Sequence, residues 1–263
     1  MKQISSHHND LIKHIVTLKE KSRARKKSGE FVVEGVRELQ LALSCGYEVV
    51  HVLFYEDLFP FEHLKTIDVE DYKCIEVSKD VYTKIAYRTT TEGVLAVLKS
   101  QSHTLDQLQF KTKNPLVLVA EAPEKPGNIG ALLRTADAAN VDAVIIANPK
   151  TDLYNPNIVR SSVGCVFSNT IATGSTEDVI SFLNTNNINI YSAILQESIN
   201  YTHPDYKIAS AIVVGTEATG LSQDWRDASK ENISIPMQGK IDSMNVSVAA
   251  GILVFEAVRQ RSL

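Results

Sequence analysis

The 263-residue sequence lacks several features that would assign it to common protein classes. It has three cysteines, Cys45, Cys74 and Cys165, which lie far apart in the chain. An odd number of widely spaced cysteines argues against a disulfide framework and favours a reduced, cytoplasmic setting. No stretch approaches the roughly 18 to 20 apolar residues that a membrane helix needs. The polar start, MKQISSHHNDLIKH, lacks the apolar core of a signal peptide.

Sequence motifs for phosphate-bound cofactors and for metals are also missing. No GxxxxGK[ST] loop occurs and no GxGxxG turn follows a predicted strand, which disfavours cofactors held by their phosphates. No HExxH pair and no paired CxxC occurs, so we expect no metal site. The seven histidines lie outside the glycine-rich turns of the C-terminal half. Catalysis by histidine is therefore not expected.

The chain carries a net charge of −4, yet positive charge is concentrated near its N-terminus. Residues 1–27 contain eight lysines or arginines and two acidic residues. The densest part is the segment KEKSRARKK. A basic patch on an acidic protein is typical of a contact for phosphates, and a solvent-exposed helix end is the alternative interpretation.

A polar stretch at residues 100–114 separates two regions of alternating strands and helices. Before it, strands are predicted in FVVEG, VVHVLFYE, YKCIEVS and GVLAVLK, with helices in VRELQLALSCG and KDVYTKIAYR. This alternation predicts a small α/β domain. We therefore predict one domain over residues 1–105 and a second over residues 106–263.

In the second region, predicted strands and helices alternate more regularly. The continuous apolar run LVLVAEA predicts a strand buried on both faces. Helical spacing in NIGALLRTADAAN predicts a helix that is capped by Asn128 and ends at Asn140. Further strands are predicted in AVIIAN, NTIATG, INIYSAIL, AIVVGTE and ISIPM. The pattern indicates a parallel sheet covered by helices.

Three glycine-containing loops follow predicted strands of the second region, namely EKPGNIGALLRTADA, VVGTEATGLS and IPMQGKIDSMNVSVA. In open α/β sheets, ligands bind beyond the carboxyl ends of the strands, and glycine lets the backbone approach a ligand closely. Each loop alone has a structural explanation, such as a turn or a helix cap at Asn245. Three such loops in one parallel-sheet domain favour a ligand site.

The same loops carry a family resemblance. NxGxxxRTADA (residues 128–138), VGTEATGLS (214–222) and IPMxGxxxSMNVSVA (235–249) resemble the three motifs of the SpoU (TrmH-like) RNA 2′-O-ribose methyltransferases, within the SPOUT class. DLYNPNIVRSSVGCVF resembles the segment between the first two motifs. The basic start, followed by RKKSGEFVVEG, is similar to the substrate-binding extension of family members that act on ribosomal RNA. Met244 stands where the family usually has leucine, a change that nearly conserves volume.

The resemblance implies an α/β fold in which a C-terminal parallel-sheet SPOUT domain forms a trefoil knot. A smaller α/β domain, similar to ribosomal proteins, precedes it. The resemblance also implies a homodimer whose interface includes the last predicted helix, residues 245–259. That helix is apolar on nearly every side, and such a helix needs burial on more than one face, in the core or in a subunit interface.

The resemblance further implies transfer of a methyl group from S-adenosylmethionine to a ribose 2′-hydroxyl of RNA. The implied cofactor-binding residues are Gly215, Ile235, Met237 and Met244. The implied catalytic residues are Arg134, Asn128, Glu217, Ser243 and Asn245. The expected RNA contacts are Arg160 near the site and, further away, Arg23, Arg25, Lys26 and Lys27.

Arg134 is expected to bind the phosphate beside the target ribose and to stabilise negative charge on the oxygen. A guanidinium stays protonated in proteins, which argues against a role as general base. The other implied catalytic residues would orient this arginine and the ribose. An ordinary surface arginine on the polar face of its helix is the alternative interpretation.

Other functions stay open at this point. Ribosomal RNA is the favoured substrate because the N-terminal domain resembles ribosomal proteins, and transfer RNA is the main rival. An RNA-binding module without catalysis conflicts with the intact set of three motifs. A small-molecule α/β enzyme, such as a nucleotide-binding dehydrogenase, conflicts with the missing phosphate-binding glycines.

Overall fold

The computed structural model describes residues 2–67, 69–87, 91–216 and 219–262. Its contacts divide the chain into two compact units. Unit 1 comprises Met1–Ser102 and Thr151–Ser168, and unit 2 comprises His103–Lys150 and Asn169–Leu263. The units are therefore not two consecutive stretches of chain, because a segment from the middle of the sequence packs in unit 1. The division into domains at residues 105 and 106 stays a prediction.

Strands and helices alternate along most of the chain. The strands are β1 (Lys2–Ile4), β2 (Glu30–Glu34), β3 (Val49–Phe54), β4 (Cys74–Val77), β5 (Val94–Lys99), β6 (Leu116–Glu121), β7 (Ala143–Ala147), β8 (Ile171–Gly174), β9 (Asn189–Ala193), β10 (Ile199–Asn200), β11 (Ser210–Val214) and β12 (Glu231–Ser234). The helices are α1 (Asp10–Glu20), α2 (Ser22–Ser28), α3 (Val36–Ser44), α4 (Phe61–Leu64), α5 (Lys79–Ile85), α6 (Pro126–Ala139), α7 (Pro156–Ser161), α8 (Cys165–Ser168), α9 (Thr176–Thr185), α10 (Gln223–Ala228) and α11 (Val246–Arg261).

Unit 1 is a mixed five-stranded sheet in the order β1-β4-β3-β5-β2. Strand β4 pairs in parallel with β1 and β3, whereas β5 pairs antiparallel with β2 and β3. Helix α1 buries Ile12, Ile15 and Leu18 in the core beside this sheet. Their spacing of three residues places them on one face of the helix. The predicted small α/β domain is confirmed.

The segment Thr151–Ser168 packs in unit 1 through aromatic contacts. The Tyr154 ring stacks on Phe31 of β2, with centroids 4.1 Å apart, and its hydroxyl lies 3.1 Å from that of Tyr47. Burial raises the pKa of both phenols, so both stay protonated and can share this hydrogen bond. Stacked aromatic rings bury large apolar areas. These contacts explain why the segment belongs to unit 1.

Unit 2 is a seven-stranded sheet in the order β10-β12-β9-β11-β6-β7-β8. Every recorded pair within it is parallel. All residues of β6, β7 and β11 are buried, which explains their continuous apolar sequences. Trp225 of α10 is completely buried in the same core. The predicted parallel sheet is confirmed.

The boundaries of helix α6 differ in part from the prediction. The helix begins at Pro126, and Asn128 lies inside its first turn, so the prediction that Asn128 caps it is wrong. Proline suits the first helical position because its backbone is already fixed near helical geometry. At the other end, Asn140 is the C-cap residue, which confirms the predicted end of the helix, and it adopts the left-handed conformation with φ of 49°.

The last helix, α11, begins one residue after Asn245. The Asn245 side chain accepts a hydrogen bond from the Ser247 amide and so caps the helix. Ala250, Leu253, Val254 and Ala257 are buried, whereas Val248 and Phe255 of the same helix are exposed. Across the described part of the chain, no helix is long and apolar enough to cross a membrane.

Candidate active site

A cavity of about 440 Å³ lies in unit 2 at the carboxyl ends of β9, β11 and β12, which are neighbours in the sheet. This is the edge at which ligands bind in open α/β sheets. The four residues predicted to bind the cofactor, Gly215, Ile235, Met237 and Met244, all line this cavity. Ser243, a predicted catalytic residue, lines it as well. The structure therefore brings parts of the second and third motifs together around one space.

The loop after β11 forms one wall of the cavity, and its glycines explain its shape. A Cβ atom on Gly215 would lie 2.3 Å from the backbone carbon of Gly220, so no larger residue fits at this position. Gly220 has a φ of 68°, which side chains rarely adopt. Thr216 and Gly220 exchange two backbone hydrogen bonds that close the loop. Glu217, predicted to be catalytic, lies outside the described residues.

Asn128 and Asn245, two predicted catalytic residues from different motifs, are hydrogen-bonded to each other. Nδ2 of Asn245 donates to Oδ1 of Asn128 over 3.2 Å. The other amide atom of Asn245, Oδ1, accepts from the backbone and the hydroxyl of Ser247. The structural interpretation of Asn245 as a helix cap is confirmed, and the same side chain also joins the first motif to the third.

Arg134 lies on the exposed side of α6. It follows Asn128 by six residues, which corresponds to about 120° around the helix axis and about 9 Å along it. Arg134 is not among the described residues that line the cavity. Of the predicted catalytic residues that the structure describes, Ser243 lines the cavity, and Asn245 lies between the lining residues Met244 and Val246. Asn128 is joined to Asn245 by a hydrogen bond, whereas Arg134 is exposed on the surface.

The predicted RNA contacts of unit 1 fall into two groups. Arg23, Lys26 and Lys27 are exposed on α2, and Arg160 is exposed on α7. Arg25, in contrast, is only 5% exposed.

The burial of Arg25 has a specific cause. Its Nε and Nη2 atoms donate to the Asp152 carboxylate over 2.9 and 2.7 Å, and Nη1 donates to the Leu18 carbonyl. Every guanidinium nitrogen is thus used inside unit 1. The expectation that Arg25 contacts RNA is contradicted by this geometry, which instead assigns the residue to anchoring the segment Thr151–Ser168.

Sequence reasoning missed two charged residues near the cavity. Arg226 of α10 lines it, and its Nε atom is buried with no hydrogen-bond partner among the residues that the structure describes. Glu121, the last residue of β6, is 6% exposed and binds Ser222 at the end of the cavity loop. An acidic residue that ends an otherwise apolar strand was a usable signal, because a buried carboxylate requires hydrogen-bond partners. No sequence signal distinguished Arg226 from an ordinary surface arginine.

Within the described ranges, no group of three or more histidine, cysteine, aspartate or glutamate side chains is arranged to hold a metal ion.

The arrangement of the motifs matches known protein families. Residues 115–255 match the SpoU rRNA Methylase family, and residues 9–96 match the MRM3-like substrate binding domain. A Bacillus subtilis (strain 168) relative, the 23S rRNA (guanosine(2553)-2′-O)-methyltransferase RlmP, is 28% identical over 97% of this chain and 98% of its own length.

Solved structures of methyltransferases are also similar to this chain over nearly its whole length. An RNA 2′-O ribose methyltransferase is 35% identical, with a TM-score of 0.86 over 99% of this chain and 100% of that one. An AdoMet-bound rRNA methyltransferase from Sinorhizobium meliloti is 26% identical, with a TM-score of 0.88 over 98% of this chain and 97% of that one. With more than half of its residues matched by the family and its whole length aligned to a solved relative, the chain belongs to the SpoU rRNA methylase family.

Proposed function

We propose that this protein methylates a ribose 2′-hydroxyl of ribosomal RNA and takes the methyl group from S-adenosylmethionine. The cavity carries the proposal, because every residue that the motifs assign to the cofactor lines it. The relatives support the substrate and the donor, since one is a 23S rRNA 2′-O-methyltransferase and another is an AdoMet-bound rRNA methyltransferase. A ribosomal substrate also favours a cytoplasmic location.

The cavity suits S-adenosylmethionine in size and chemistry. Its volume of about 440 Å³ lies within the range of roughly 300 to 1,000 Å³ that is usual for small-molecule sites. Leu195, Leu221 and Leu253 provide apolar lining, and the backbone around Gly215 provides polar groups. The ligand has no phosphates, so it needs no phosphate loop. When bound, it supplies a methyl group activated by a sulfonium.

The protein's own residues would position the ribose and stabilise charge. Methyl transfer requires an in-line arrangement, and positioning alone can supply much of the rate. We propose that Arg134 binds the phosphate beside the target ribose and stabilises negative charge on the 2′-oxygen. Asn128, Ser243 and Asn245 would orient these groups, and Glu217 is proposed to assist them.

A homodimer through α11 completes the proposal. Val248 and Phe255 are 54% and 47% exposed, and they lie seven residues apart on one face of α11. A second copy on this face would bury both side chains. Helix α6 packs against α11, since a Cβ atom on Gly251 would lie 3.9 Å from Thr135. Arg134, next to Thr135, would then lie beside the interface and could serve the partner's cavity.

The remaining family features are proposed on the resemblance. We propose a C-terminal trefoil knot, which would be an exception to the rule that chains do not thread through loops. Exposed Arg23, Lys26, Lys27 and Arg160 are proposed as phosphate contacts. Arg25 is not proposed as a phosphate contact, because its guanidinium is buried against Asp152.

Two measurements on the purified protein test this function. Calorimetric titration with S-adenosylmethionine should show binding, and labelled methyl groups should be transferred to ribosomal RNA in preference to transfer RNA. Binding of RNA without binding of S-adenosylmethionine would favour the non-catalytic module. Preferred transfer to transfer RNA would support the rival substrate.

A further inference from the structure

Glu121 is a buried carboxylate at the carboxyl end of β6. Its Oε1 atom accepts hydrogen bonds from the hydroxyls of Thr176 and Ser222, each over 2.8 Å. Its Oε2 atom accepts from the backbone amide of Ser222, also over 2.8 Å. Hydrogen bonds to an ionised acceptor are stronger than neutral ones. Three such bonds compensate for burial of the carboxylate and fix its partners firmly.

The carboxylate connects the ends of several neighbouring elements. Nδ2 of Asn148, the residue after β7, donates to the Thr176 hydroxyl over 2.8 Å. Thr176 begins α9, which follows β8. Because the Thr176 proton points to Glu121, its oxygen is available to accept from Asn148. Glu121 therefore ends a chain of hydrogen bonds along the carboxyl edge of the sheet.

The other partner of Glu121, Ser222, ends the loop that forms the cavity wall. Gly215, Thr216, Thr219, Gly220 and Leu221 line the cavity, and Ser222 follows directly. The loop begins at β11, which the sheet holds on both sides.

The other end of this loop is held by Glu121. Ser222 is the N-cap residue of α10, but its side chain makes no capping bond to that helix. Its hydroxyl binds Glu121 instead. The backbone amide and the hydroxyl of Ser222 thus both donate to the Glu121 carboxylate.

We propose that Glu121 is a positioning residue for the methyl donor. It holds Ser222, and through Ser222 it fixes the part of the wall formed by Thr219, Gly220 and Leu221 in the shape that binds the cofactor. Glu121 is not among the described residues lining the cavity, so it acts through the loop. This inference rests on the proposed function, because it assumes that S-adenosylmethionine binds in the cavity.

The test replaces the carboxylate by an amide of the same shape. In Glu121→Gln, one acceptor oxygen becomes an NH2 donor, which disturbs the pairing with donors that are already in place. We expect the KM and the calorimetric Kd for S-adenosylmethionine to rise about tenfold or more, as loss of a charge-assisted hydrogen bond predicts. The kcat at saturating donor and the KM for RNA should change less than about twofold.

Asp142 offers a matched control at the opposite edge of the same sheet. Its carboxylate accepts from the Leu116 amide over 2.7 Å and from the Thr112 hydroxyl over 3.0 Å. Asp142→Asn should lower the unfolding midpoint without raising the KM for S-adenosylmethionine. If loss of stability alone raised the KM for S-adenosylmethionine, both variants would raise it. A positioning role predicts that Glu121→Gln raises this KM and Asp142→Asn does not.

A second measurement does not depend on activity. Hydrogen exchange of the amides in residues 215–222 should be faster in Glu121→Gln than in the wild type, with β12 unchanged. If that variant fails to fold, Ser222→Ala removes one bond to Glu121, and Thr176→Val removes one bond to Glu121 together with the bond from Asn148. Each should raise the KM for the donor by a smaller factor.

The outcomes separate the two proposals. Wild-type protein that binds S-adenosylmethionine, together with folded variants that keep its KM, would overturn the positioning role alone. Wild-type protein that does not bind S-adenosylmethionine would overturn the proposed function and this inference with it.

Discussion

Asn245 donates a hydrogen bond to Asn128 over 3.2 Å, although the two residues are 117 positions apart in the sequence. The bond joins the first turn of α6 to the N-cap of α11. Because Oδ1 of Asn245 is committed to Ser247, its Nδ2 atom must face Asn128. By capping α11, Asn245 thus presents its donor to the side-chain amide of Asn128 in the first motif. The Asn245 side chain therefore has a structural role and a proposed catalytic role.

Substitutions of Asn245 can separate these two roles. Aspartate keeps the capping acceptor but removes the donor to Asn128, so Asn245→Asp should fold with nearly wild-type stability yet lose most methyl transfer. Asn245→Ala should in addition lose about 1 kcal/mol of stability, because the cap is lost. Urea unfolding and transfer assays on both variants measure the two effects. Full activity in folded Asn245→Asp would show that the bond to Asn128 is dispensable.

Arg134 is proposed to act on RNA and not on the cofactor. Arg134→Ala should therefore abolish methylation while the calorimetric Kd for S-adenosylmethionine stays nearly unchanged. Arg134→Lys should also be poor, because lysine cannot reproduce a bidentate phosphate contact. Normal turnover by the alanine variant would return Arg134 to the interpretation of an ordinary surface arginine.

Arg25 is expected to stabilise unit 1. Its guanidinium and the Asp152 carboxylate are 5% and 10% exposed, and removal of one partner from a buried ion pair typically costs about 3 to 5 kcal/mol. Arg25→Ala should lower the free energy of unfolding by an amount of that order. Chemical denaturation measures the change, and a loss below about 1 kcal/mol would contradict the anchoring role.

The exposed basic residues of the same helix provide the control for Arg25. Replacement of Arg23, Lys26 and Lys27 by alanine should leave stability almost unchanged. It should weaken RNA binding and flatten its salt dependence, because fewer phosphate contacts release fewer counterions. An unchanged salt slope would restore the interpretation of a solvent-exposed helix end.

The exposed face of α11 should mediate dimer formation. A charge on this face would have to be buried in the dimer without a partner, so Phe255→Glu should shift the protein to a monomer. Tyr72, which is 79% exposed in unit 1, provides a control, and Tyr72→Glu should leave the oligomeric state unchanged. Light scattering after size-exclusion chromatography measures the mass. A wild-type monomer at micromolar concentration would contradict the proposal.

Features set by local sequence were predicted well. The apolar runs of β6, β7 and β11 predicted a buried parallel sheet, because strands covered on both faces have little polar sequence. The start of α6 was misplaced, because Pro126 and Asn128 both suit a helix start and proline took the first position.

Features that depend on distant partners were missed. Arg25 looked like its exposed neighbours, since its partner Asp152 lies 127 residues away. Glu121 had a usable signal as the acidic end of an apolar strand, but its partner Ser222 lies 101 residues away, so the contact itself required the fold. The glycine-containing loops predicted a ligand site, and the three motifs predicted its ligand, whereas the contacts that shape the cavity wall required the fold.

Methyl transfer to a ribose of ribosomal RNA is tested most directly by mapping 2′-O-methyl groups in total RNA from cells that carry the wild-type gene, no gene, or the Arg134→Ala variant. We expect a 2′-O-methylated ribosomal nucleotide that is present with the wild type and absent from the other two. Identical methylation maps in all three strains would contradict it.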